Sequence, residues 1–146
     1  MRKKNTKSNG FTLVELLVVI TIIGLLSVLA LAAFSSAKQK SRDALRTADI
    51  KQMHTALELY FNEFGTYPSS LTVGQSIASN SVVYMNIIPS NPLPWIDGQC
   101  SNTAAADFSY VQDSPVSYHL SYCLAGRSGG LEKGSHVATP GGVADP

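Results

Sequence analysis

Phe11 to Phe34 reads FTLVELLVVITIIGLLSVLALAAF, a stretch with one charged side chain, Glu15, and no proline. At helical rise it extends roughly 36 Å, enough to cross a hydrocarbon layer of about 30 Å with some tilt. It is read as a membrane-spanning helix, and the rest of the chain is organised around it. The ten residues before it carry Arg2, Lys3, Lys4 and Lys7 and no acid. Such a cluster stays cytoplasmic and leaves the remainder of the chain outside. Lys38, Lys40, Arg42 and Arg46 on the far side pull against that orientation, and Asp43 and Asp49 partly offset them.

Helical sequence continues past Phe34. Between Ala37 and Phe64 there is no proline or glycine, and Ile50, Met53, Leu57, Tyr60 and Phe64 recur at spacings of three and four. That spacing makes an apolar stripe on one helix face. Asp49, Lys51, Gln52, Thr55, Glu58 and Asn62 take the opposite face. Gly65 supplies a stop, with Pro68 shortly beyond it. A continuous helix from Phe11 to Phe64 would be on the order of 80 Å long. Its first half is apolar all round, and its second half needs a small domain packed on its stripe.

That domain is expected at residues 65–146, where turn residues cluster in GTYPSS, SNPLP and ATPGG. Phe108–Gln112 and Ser117–Leu124 flank Asp113-Ser114-Pro115 and read as a β-hairpin. Tyr118, Leu120 and Tyr122 share one face of its second strand, and that face is expected to lie on the helix stripe. Ser81–Ile88 reads as a strand or a helical turn, and a further strand is expected near Leu131–Ala138. The predicted fold is α+β, with one long N-terminal helix and a small antiparallel sheet on its distal half. The expected segments are residues 1–10, 11–34, 35–64 and 65–146.

The chain's 146 residues leave room for one modest domain, and its net charge of +1 gives no bulk basic character for nucleic-acid binding. Removal of the first ten residues would leave seven basic against ten acidic side chains, a net −3. The only cysteines, Cys100 and Cys123, suit a single disulfide in an oxidising compartment, with two buried thiols as the alternative. If bridged, they stabilise the head by roughly 3 kcal/mol.

KSNGFTLVELL at residues 7–17 places cationic residues, a glycine, a phenylalanine and then a glutamate five positions into an apolar helix. It closely resembles the signal of type IV prepilins and type II secretion pseudopilins. The resemblance implies cleavage after Gly10 by a membrane-embedded prepilin peptidase, and methylation of the new N-terminus at Phe11. A glycine suits the extended backbone a protease must take. DIKQMHTALELYFNEFGTYP, residues 49–68, resembles the second half of the pilin helix and its G-x-Y-P junction. What the resemblance implies is a structural subunit without catalytic activity, polymerised with copies of itself and with other pilins. An inner-membrane assembly platform and a cytoplasmic ATPase are the further partners it implies, and the filament is extracellular or periplasmic. A subunit of a pilus, a pseudopilin of a secretion or DNA-uptake apparatus, and a non-assembling anchored or secreted domain are the readings to separate. The last would use Ala30-Leu31-Ala32 as a secretory cleavage site.

An ionised residue inside a membrane helix costs a few kcal/mol and points to function and a partner. After cleavage Glu15 would lie four residues from the α-amino group of Phe11, on the same face. It can neutralise its own terminus or meet that of a neighbour in the filament; the resemblance implies the second. The plain alternative is a glutamate favoured by the helix N-terminal dipole. Gly24 costs about 1 kcal/mol against alanine within a helix, and marks either a loosening point or a close helix contact. No catalytic constellation stands out in the C-terminal part: His54, His119 and His136 are scattered. No cofactor is predicted. Calcium bound through Asp97, Asp107, Asp113 or Glu132, as in major pseudopilins, has no assignable site because the acids are dispersed. Trp95 and the tyrosines are read as packing residues.

Overall fold

The computed structural model describes residues 10–94, 100 and 108–144. Helix α1 runs from Leu13 to Phe64 without interruption. The chain divides into two units after Ser36. In the first, every large apolar side chain from Phe11 to Phe34 is between 44% and 86% exposed. A helix this apolar requires a non-aqueous partner, lipid or other helices, on all sides. It is long and apolar enough to cross a membrane.

The second unit begins at Ala37 and contains the rest of α1 and six strands. The stripe read from the sequence is the floor of its core: Ile50, Met53 and Leu57 are buried and Tyr60 and Phe64 half-buried, with Ala56 buried beside them. Gly65 ends the helix with φ of 68°, its N–H bonded to the carbonyl of Phe61 at 2.7 Å. Only glycine adopts that left-handed geometry without a steric cost.

Four strands form an antiparallel sheet in the order β3-β4-β5-β6: β3 Ser109–Ser114, β4 Ser117–Leu124, β5 Gly134–Thr139 and β6 Gly142–Ala144. β4 is central, paired with β3 through Tyr110↔Leu120 and with β5 through Leu120↔Ala138. Its Tyr118, Leu120 and Tyr122 are fully buried in one cluster with Ile50, Met53 and Leu57 of the helix. The alternation of strand side chains therefore places the aromatic face where the sequence put it. Tyr67, just past the helix, stacks on Phe61 at 4.6 Å and meets the Tyr118 ring edge-on at 4.7 Å.

The head differs from the sequence reading in detail. It holds two sheets, not one. β1 Ile77–Ser79 and β2 Val82–Met85 make a separate hairpin. Its two-residue turn has Asn80 and Ser81 at φ of 48° and 69°, the twist that tight hairpins favour. β3 extends beyond Gln112 through an irregularity before Ser114, which leaves Pro115-Val116 as the turn. β1 and β6 span three residues each, too few for alternation to be legible.

Candidate functional site

At the start of α1 the backbone and one side chain close on each other. Thr12 is the N-cap. Its hydroxyl accepts a bond from the Glu15 N–H at 3.2 Å, while its own N–H and hydroxyl donate to Glu15 Oε2 at 2.8 and 2.7 Å. This reciprocal pairing is a capping box, and it satisfies two helix-end donors with one short segment. The T-x-x-E spacing was present in the sequence but went unread, so Thr12 is a site residue that motif reasoning missed. Phe11, four residues before Glu15, is exposed, and Gly10 precedes it. A Cβ built on Gly24 would meet nothing within 4 Å, so no contact inside the chain requires glycine there. Any such requirement has to come from a neighbouring helix.

A second polar cluster sits where α1 enters the head. Asp43 and Arg46, counted in the sequence as charges flanking the membrane segment, are fully buried. The Arg46 guanidinium donates to Asp43 Oδ1 at 2.6 Å and to Asn91 Oδ1 at 2.7 Å. It also donates to the carbonyls of Pro92 and Pro94 at 3.2 and 3.1 Å. Asp43 in turn accepts from the N–H groups of Ala125 and Gly126 at 3.0 and 2.8 Å. Charges this deeply buried persist only when their lone pairs and protons are satisfied, and here one ion pair ties two chain segments, at Asn91–Pro94 and Ala125–Gly126, to the helix. Cys123, two residues before Ala125, is disulfide-bonded to Cys100. Thr47, one residue after Arg46, lies under Gly129, whose added Cβ would stand 2.7 Å from the threonine methyl. No sequence pattern announces the Ala125 and Gly126 donors; they come from 80 residues away.

Tyrosines gather at the other end of the head. Tyr67 donates to Glu58 Oε1 at 2.9 Å, and Tyr110 to the carbonyl of Pro68 at 2.6 Å. Burial, and after it the nearby Asp113, pushes the Tyr110 hydroxyl up to about 12, and burial raises Tyr67 and Tyr118 further. These are packing groups held neutral. The histidines stay apart: His119 pairs with Asp113 at 2.8 Å, and His136 packs on Tyr122 in the core. Glu132 pairs with Arg127 at 3.1 Å. Among the described residues no three His, Cys, Asp or Glu side chains stand together as a metal site. Asp97, Asp107 and Trp95 lie outside the described residues.

Residues 5–31 match the family described as the prokaryotic N-terminal methylation motif. Relatives that match the chain include type IV major pilin proteins and type II secretion system core proteins G. The chain is 33% identical over 63 residues to the type IV major pilin protein PilA of Myxococcus xanthus, covering 43% of this chain and 29% of that protein. It is 33% identical over 64 residues to the type II secretion system core protein G of Pseudomonas aeruginosa, covering 44% and 45%. It is 35% identical over 80 residues to the type IV major pilin protein PilE of Neisseria gonorrhoeae, covering 53% and 47%. The chain thus spans less than half the length of each of these relatives. No solved structure matches it.

Proposed function

We propose that this chain, which carries the N-terminal methylation motif and has pilins and pseudopilins as homologues, is a precursor subunit of a type IV pilus-like filament. The peptide bond between Gly10 and Phe11 is cut, Phe11 is N-methylated, and the apolar half of α1 holds the subunit in the inner membrane until it is polymerised. Copies then bundle their apolar halves, exchanging lipid for helix contact and exclusion from water.

The observation that carries this reading is the wholly exposed apolar half of α1, beginning with a single carboxylate four residues after Phe11. Lipid alone would satisfy the apolar surface, and the capping box uses only part of the carboxylate's hydrogen-bonding capacity. In the described structure Glu15 accepts only from Thr12, with both bonds on Oε2, which leaves Oε1 open to a further donor. Cleavage creates that donor, the α-amino group of Phe11, and in the filament the donor comes from a neighbouring subunit. Gly24, with open space around it, suits the close approach of a second helix.

Mass spectrometry of the mature N-terminus tests the processing: methyl-phenylalanine at Phe11 is expected, and an intact Met1 or a start at Ala33 overturns it. Glu15→Ala should leave cleavage intact and stop filament formation; unchanged filaments refute the pairing. A second reading, a pseudopilin of a type II secretion apparatus, is favoured by the matches to core protein G and shares this chemistry. Surface filaments seen with an antibody to the head favour the pilus, whereas a filament confined to the periplasm favours the pseudopilin.

A further inference from the structure

The head carries two exposed apolar features that its own fold leaves uncovered. One is a groove of about 620 Å³ between α1 and the segment Tyr84–Ile87, lined by the apolar Ala56, Leu59, Tyr84, Met85 and Ile87 and by the polar Lys51, Gln52, Thr55 and Asn86. Leu59 is 50% and Ile87 65% exposed. The other is the Pro115-Val116 turn between β3 and β4, where Val116 is 60% exposed. Asp113 stands beside that turn, half exposed, with one carboxylate oxygen on His119.

We propose that the β3–β4 turn of one copy seats in the α1–β2 groove of a second copy, with Asp113 facing Lys51. Three observations select a second copy as the occupant. A two-residue apolar tip matches a shallow apolar groove, and the charges beside them are opposite. The turn cannot fill the groove of its own chain. The Pro115 carbonyl accepts the Tyr67 N–H at 2.9 Å, which holds the turn beyond the C-terminal end of α1. The groove is centred near Thr55, on the order of 15 Å back along the helix. Finally, tip and groove are different surfaces, so the contact is head-to-tail. A contact of that kind does not close into a two-fold dimer; it propagates into an open filament when its rotation does not close into a ring, as the filament reading requires. Two copies must be displaced along the helix axis for it to form, which gives the heads a part in setting the axial step.

This inference rests on the filament reading. Its test uses the full chain expressed with its assembly machinery, carrying Ile87→Cys and Val116→Cys together, with sheared filaments treated with a short bismaleimide. A ladder of covalent oligomers is expected from the double variant, and nothing beyond dimers from either single variant. Lys51→Glu should lower filament yield at least tenfold, and adding Asp113→Lys should restore it. Wild-type filaments whose double-cysteine counterparts give no ladder, a cross-link within one chain, or a cross-link to a different protein overturn the docking and leave the filament reading standing. An unprocessed N-terminus with no filaments in the wild type overturns the filament reading, and the docking with it.

Discussion

Replacing Arg46 with alanine removes the centre of the buried cluster and leaves Asp43 charged in the interior of the head. Four hydrogen bonds disappear, to Asp43, Asn91, Pro92 and Pro94. Asp43 keeps the N–H donors of Ala125 and Gly126, so its charge is only partly compensated. Breaking a buried pair from one side costs about 3–5 kcal/mol. The unit after Ser36 has about 110 residues and a total stability on the order of 5–15 kcal/mol. The variant therefore loses about a fifth or more of that, a fall in melting temperature of about 12–20 °C at roughly 4 °C per kcal/mol. Thermal unfolding of the detergent-solubilised chain, followed by near-ultraviolet dichroism of the buried tyrosines, measures it. Arg46→Met with Asp43→Asn should cost less than Arg46→Ala alone, because the asparagine oxygen still accepts from one of the Ala125 and Gly126 N–H groups while the stranded charge is gone. A loss below about 1 kcal/mol for Arg46→Ala, or strictly additive effects in the pair, would refute this account of the cluster.

Burial raises the Asp49 carboxyl above its ordinary value, so the folded head binds that proton more tightly than the unfolded chain. Stability is then lost as pH rises from about 4 through the folded value. Asp49→Asn should melt higher than wild type at neutral pH, with the gap closing in acid; a constant gap across pH would contradict the assignment. Reduction of the Cys100–Cys123 bridge, or Cys100→Ala with Cys123→Ala, should lower stability by about 3 kcal/mol in chemical denaturation. Gly129→Ala meets both a φ of 60° and the Thr47 methyl, and should cost about 1–3 kcal/mol. Thr47→Ser removes that methyl while keeping its hydroxyl, and should recover part of the loss in the same melting experiment.

Local chemistry was legible because its parts are contiguous. The apolar run Phe11–Phe34, the N-terminal methylation motif, the stripe through Ile50, Met53 and Leu57 and the aromatic face of Ser117–Leu124 each depend on spacing within a few residues. One helical or strand period is enough to declare them. The capping box of Thr12 and Glu15 is equally local, a T-x-x-E spacing at the start of the apolar run. What the sequence by itself determined is an apolar helix long enough to cross a membrane, its amphipathic continuation and the α+β class. Tertiary structure alone decided that Asp43 and Arg46 are interior groups, that Gly129 must lie against Thr47, and that Leu59 and Ile87 face outward together. Those outcomes depend on Ala125, Gly126, Asn91 and the β1–β2 hairpin arriving from distant parts of the chain. A charge on a helix carries no mark of whether water or a folded neighbour will surround it, because its desolvation is fixed by packing and not by its spacing in the sequence.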